Sequence, residues 1–81
     1  MKLTKIFQNI RSDADISKSK DILNDFMIDS FDLVMLVEEI ENTFNIKFDI
    51  TDIKRDNFKT KELIENLIKS KGGVLWKRYL L

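Results

Sequence analysis

Behind the pair Asp29-Ser30, the apolar residues Leu33, Leu36, Val37, Ile40 and Phe44 recur at the spacing of one helical stripe. The spacing predicts a helix over Ser30–Phe44. Asp29 and Ser30 are both good N-cap residues, and Asn45 stands where a left-handed closing residue is expected. Asp29 and Asp32 near the start suit the positive end of the helix dipole. This is the clearest amphipathic segment in the chain, so the remaining segments must supply what covers its stripe.

Two other segments have the required period. Leu3, Ile6, Phe7 and Ile10 predict a helix over Lys2–Arg11, short enough that packing rather than propensity must hold it. Leu63, Ile64, Leu67 and Ile68 predict a last helix over Lys61–Lys71, capped by Thr60 and stopped by Gly72-Gly73. Between them, Ile46–Asp49 reads as an extended link and Thr51–Arg55 as one short helical turn capped by Thr51, before Asn57-Phe58. Arg11–Asp25 is rich in Ser, Asp, Lys and Asn and reads as a long ordered loop, pinned by Ile16, Ile22, Leu23 and Ile28. A loop of that length in a compact domain is usually functional. The expected fold is all-α, a small four-helix bundle of three main helices plus a short third one.

At 81 residues one domain is expected, over residues 1–73, followed by the apolar and basic extension Val74–Leu81. That tail can pack on the bundle, dock a partner or rest on a membrane surface. Two basic charges offer little attraction to lipid, which favours the first two. With 43% hydrophobic and 35% charged residues and no apolar run long enough to span a bilayer, the chain reads as soluble and cytoplasmic. Lys5 interrupts the apolar run that a secretory signal would need.

The absences are chemically informative. Without cysteine or histidine there is no thiolate, no cysteine-ligated zinc and no Ser-His-Asp triad, and no metal site is expected. Two adjacent glycines cannot write a Walker loop or a dinucleotide fingerprint. The zero formal charge conceals an acidic middle: from Asp21 to Asp52 nine acids face Lys47 alone, an excess of eight. Such a face attracts basic partners and repels nucleic acid.

Ser30 is then the plausible chemical handle. Its bland reading is a helix cap and nothing more, but Asp29 can fill the cap and leave the hydroxyl free. Phe31 and Val34 lie off the stripe beside Ser30, with Asp32, Glu38 and Glu41 around them, which describes a docking face. Met35 fits either that face or a helix buried nearly all round. A carboxylate-pair hydrolase built on Asp29 and Asp32 is disfavoured, because both acids sit at a solvated helix start with no pocket to tune them.

The run Ile22-Leu23-Asn24-Asp25-Phe26-Met27-Ile28-Asp29-Ser30-Phe31-Asp32-Leu33-Val34, followed by Leu36 to Phe48, resembles an acyl or peptidyl carrier protein. Asp52-Ile53, Asp56-Asn57-Phe58 and Thr60 resemble that family's third and fourth helices, so the likeness covers Lys2–Lys71. The resemblance implies a four-helix bundle of acyl-carrier type and no enzymatic activity of its own. It further implies a 4'-phosphopantetheine arm on Ser30, with Asp29 as the adjacent motif residue, taken from coenzyme A through a phosphopantetheinyl transferase. The arm's thiol would carry an acyl or aminoacyl group as a thioester, so the reactive sulfur belongs to the cofactor. Phe31, Val34, Met35, Glu38 and Glu41 would dock a loading enzyme and downstream transferases or synthases of fatty-acid or specialised-metabolite biosynthesis. The carrier would act as a monomer, without nucleic acid and without membrane insertion.

The Ser-Phe-Asp order looks closer to stand-alone carriers of specialised pathways, D-alanyl or aminoacyl carriers included, than to fatty-acid carriers, which more often have Leu after the serine. Three departures stand out. The family usually has Gly four residues before the serine, where this chain has Phe26. A proline common after the recognition helix is replaced around Asp49, and the net charge is neutral. The competing reading is a non-carrier adaptor of the same fold in which Ser30 is only a cap.

Overall fold

In the computed structural model, which describes residues 2–73, the apolar stripes meet in one core. Helix α1 spans Lys2–Ile10, α2 Ile22–Asp25, α3 Ser30–Phe44 and α4 Lys61–Ser70. Two 3₁₀ turns, Ile50–Asp52 and Arg55–Phe58, stand between α3 and α4. No strand occurs among the described residues, and the all-α bundle expected from the sequence is observed. No described helix is long and apolar enough to cross a membrane. The tail Val74–Leu81 lies outside the described residues.

Helix α1 lays Leu3, Ile6 and Phe7 against α3, while α4 and α2 both pack on the turn that ends at Phe58. Leu36 and Ile40 from α3, Ile64 and Ile68 from α4, and Phe58 are completely buried. Phe48 and Phe58 meet edge to face, with ring centroids 5.9 Å apart, an arrangement their quadrupoles favour. The pegs Ile16, Ile22, Leu23 and Ile28 are all buried, so the segment after α1 is pinned as its composition suggested. Leu63, expected on the core stripe of α4, is largely exposed, which narrows that stripe to Ile64 and Ile68 with Leu67 at its margin.

Two local expectations are corrected. The stretch read as loop through Asp25 holds a helical turn, α2, because the Asp21 carboxylate accepts a bond from Asn24 N–H while Ile22 and Leu23 both turn inward. The backbone N–H of Ile22 also donates to Lys59 O at 2.7 Å, tying α2 to the start of α4. Thr51 caps nothing. The turn is capped two residues earlier by Asp49, whose N–H donates to Asp52 Oδ2 at 2.8 Å while its backbone O accepts from Asp52 N–H at 2.9 Å.

Helices α2, α3 and α4 each end on a residue with positive φ: Met27 at 52°, Asn45 at 56° and Gly72 at 87°. After α2, Ile28 N–H donates to Leu23 O at 2.7 Å and Met27 N–H to Asn24 O at 3.2 Å, which together form a Schellman closure with Leu23 and Ile28 as its apolar contact. Gly73 N–H to Ile68 O and Gly72 N–H to Lys69 O repeat the same pattern after α4. Gly72 adopts the left-handed region freely and Asn45 tolerates it, whereas a side chain such as Met27 meets a cost of roughly 1–2 kcal/mol there.

Candidate functional site

Asp29 and Ser30 divide the start of α3 between them. The Asp29 carboxylate accepts from Asp32 N–H at 2.9 Å and is the N-cap, while Ser30 is the first helical residue and is exposed. The hydroxyl is therefore not needed for the cap and stands at the rim of a hollow of about 390 Å³ lined by Leu23, Asn24, Met27, Ile28, Asp29 and Arg55. An exposed hydroxyl on a rigid helix start is open to modification.

The chain leading into Ser30 is held by two arginines that sequence spacing did not single out. From the end of α1, Arg11 donates through Nε to Phe26 O at 3.1 Å and through Nη2 to Met27 O at 3.1 Å and Asp32 Oδ2 at 2.9 Å. Its Nη1 donates to Ile10 O at 3.0 Å, so the planar fork joins three segments at once. From the second 3₁₀ turn, Arg55 Nη1 donates to Ile28 O at 3.1 Å. The acceptors are mostly backbone carbonyls, which every residue type provides, so no side-chain pattern announced these contacts.

The bend before Ser30 does not fall on Phe26, which stands where the family usually has Gly. Phe26 has an ordinary negative φ of −108° and packs half-buried on the core, and the left-handed turn falls on Met27 instead. The Schellman closure decides this, because Met27 is the residue just past the C-cap of α2.

Phe31 and Val34 are exposed at 72% and 61%, and Met35, left open by the sequence, is exposed at 44%. Met35 borders a groove of about 210 Å³ between α1 and α3, floored by Ile6 and Ile10 and edged by Glu38 and Glu39. Glu38 is exposed. Glu41 has a bond within the fold as well: its Oε2 accepts from Phe48 N–H at 2.8 Å, which orders the link after α3. Phe31, Val34, Met35 and Glu38 thus share an open face near Ser30, with Glu41 half-buried at its far end.

Electrostatics around the helix start are balanced. Arg11 offsets Asp32, and Arg55 shares the hollow with Asp29. A resolved ionic cluster lies away from this site, where Lys71 Nζ reaches Asp52 at 2.7 Å and Asp49 at 3.2 Å. The Lys71 ammonium and the Asp49 N–H hold the Asp52 carboxyl below its ordinary 3.8, and the Asp52 and Asp49 carboxylates hold Lys71 above its ordinary 10.5. No group of side chains suited to a metal ion occurs among the described residues.

A sequence model of the family described as "Phosphopantetheine attachment site" matches residues 2–65, most of the chain and all of the elements around Ser30. No curated protein and no solved structure is significantly similar to the chain.

Proposed function

The chain belongs to the phosphopantetheine-attachment family, whose members carry a covalently attached 4'-phosphopantetheine and are carriers rather than enzymes, and on that premise we propose that Ser30 is the attachment residue and that the arm presents an acyl or aminoacyl group to partner enzymes. The observation that carries this reading is the separation of roles at Asp29-Ser30: the acid makes the capping bond, and the hydroxyl stands exposed beside a hollow. An adaptor whose serine served only as a cap would need that serine to make the bond that Asp29 makes.

The surroundings of Ser30 fit a phosphate-linked arm. Arg55 supplies a cation in the hollow, the first turn of α3 directs backbone N–H groups toward its start, and Arg11 neutralises Asp32, one of the two helix-start acids. Met27 and Ile28 offer an apolar edge along which the arm's aliphatic portion would lie. When bound, the arm supplies a terminal thiol that holds the cargo as a thioester.

Carriers of this family work with a phosphopantetheinyl transferase and with biosynthetic enzymes. For this chain, Phe31, Val34, Met35 and Glu38 are the surface such partners would meet, apolar residues edged by acids. The Ser-Phe-Asp order favours an aminoacyl or other specialised cargo over a fatty-acid chain.

Incubation with coenzyme A, magnesium and a broad-specificity phosphopantetheinyl transferase tests the proposal by mass. One arm on the wild-type chain and none on Ser30→Ala is expected. No gain, or a gain that persists in Ser30→Ala, would refute the assignment and favour the adaptor. The mass of the carrier isolated from its own host, cargo attached, identifies the cargo.

A further inference from the structure

We infer that Arg11 is the positioning residue for Ser30, the group that holds the left-handed turn at Met27 in register with the start of α3; the inference rests on Ser30 as the attachment residue. The reasoning begins with the three helix ends. Gly72 has no Cβ to clash and Asn45 tolerates the left-handed region, but Met27 adopts it with a side chain that is 79% exposed and gains little packing in return. The Schellman bonds hold the turn from within, and bonds from outside it add to that hold.

Arg11 is placed to do so. The carbonyls of Phe26 and Met27 belong to the two peptide planes on either side of the Met27 Cα, and the rotation of those planes defines its φ and ψ. One guanidinium bonds both, through Nε and Nη2 at 3.1 Å each, so a single rigid fork fixes the dihedral pair. The same Nη2 reaches Asp32 Oδ2 at 2.9 Å in the first turn of α3. The turn is therefore indexed to the helix that carries Ser30, and Arg55 holds the next carbonyl, Ile28, from the other side. A lysine at position 11 would keep the charge opposite Asp32 but lose the planar fork.

If the transferase engages the ordered loop, a turn populated only part of the time weakens recognition by that fraction and leaves the bound step unchanged. Arg11→Ala is therefore expected to raise the KM of the full chain as transferase substrate about tenfold, with kcat within about twofold. In the unmodified chain, amide exchange at Met27 and Ile28 should accelerate by a similar factor while Ile64 and Ile68 keep their protection. Placing the same change in a Met27→Gly background, where the left-handed turn carries no Cβ penalty, should shrink the KM effect to about threefold or less.

Arg11→Lys should melt close to wild type yet raise KM nearly as much as Arg11→Ala, which separates the fork from the charge and guards against a variant that fails to fold. Wild-type KM and exchange in Arg11→Ala, an equal loss in the wild-type and Met27→Gly backgrounds, or a lysine variant indistinguishable from wild type would overturn the inference. Exchange is read without transferase or arm. A wild-type chain that takes no arm refutes the Ser30 assignment, while the clamp still stands or falls on exchange.

Discussion

Nη2 of Arg11 lies 2.9 Å from Oδ2 of Asp32, so the residue that follows α1 is tied to the first turn of α3 across a sequence separation of 21. Both side chains keep some contact with solvent, at 35% and 15% exposure, which limits what the pair contributes. Asp32→Asn should lower stability by about 0.5–1 kcal/mol, a fall of about 3–6 °C in Tm for a domain of this size. Repeating the melt in high salt should shrink the difference, because screening weakens the wild-type pair and leaves the asparagine variant unaffected.

Met27→Gly should stabilise the chain. Removing the Cβ relieves about 1–2 kcal/mol of left-handed strain, and glycine's greater freedom in the unfolded chain returns about 0.5–1 kcal/mol of that. A net gain of about 0.5–1 kcal/mol in urea unfolding is expected, with an unchanged m-value.

Asp29→Ala and Ser30→Ala should separate structure from chemistry. Loss of the Asp29 cap costs about 1 kcal/mol of stability. Ser30→Ala, at an exposed position outside the capping bond, should stay within about 0.5 kcal/mol of wild type while losing all capacity for the arm. Thermal melts paired with intact mass check both halves.

Charge reversal on α3 should likewise split in two. Glu38→Lys should weaken recognition by a basic transferase at low salt and leave stability within about 0.5 kcal/mol of wild type. Glu41→Lys removes the acceptor for Phe48 N–H and should cost about 1–2 kcal/mol whatever its effect on docking. Chemical denaturation beside transferase kinetics distinguishes the two acids.

Acid should loosen the junction between α4 and the first 3₁₀ turn. The Asp52 carboxyl is held below its ordinary 3.8 by Lys71 and the Asp49 N–H, so the contribution is complete above that pH and fades as pH falls below it. Lys71 is held above its ordinary 10.5, so its contribution persists below that value and is lost only at higher pH. A stability profile across pH 2–5 should be flatter for Asp52→Asn than for wild type. Equal slopes would show that the cluster with Asp49, Asp52 and Lys71 does not drive the acid response.

The helices and most of their ends are properties of the sequence itself. The stripe from Leu33 to Phe44, the caps at Asp29 and Thr60, and the closures at Asn45 and Gly72 rest on interactions within a few residues, which spacing and residue type encode directly. Ser30 was legible for the same reason, since its exposure follows from Asp29 taking the cap next to it. Even so, local chemistry was ambiguous where two residues could compete: Thr51 gave way to Asp49 as a cap.

What tertiary structure alone decided is how that local site is held and which side chains remain open around it. Arg11, Arg55 and Glu41 act on backbone groups of Phe26, Met27, Ile28 and Phe48, and the partner's side chain does not specify such a bond. Whether Met35 faced the core or the surface depended on where α1 came to rest against α3. Packing between segments distant in sequence determines both, because the Arg11 guanidinium reaches the carbonyls of Phe26 and Met27 only where the end of α1 lies beside them.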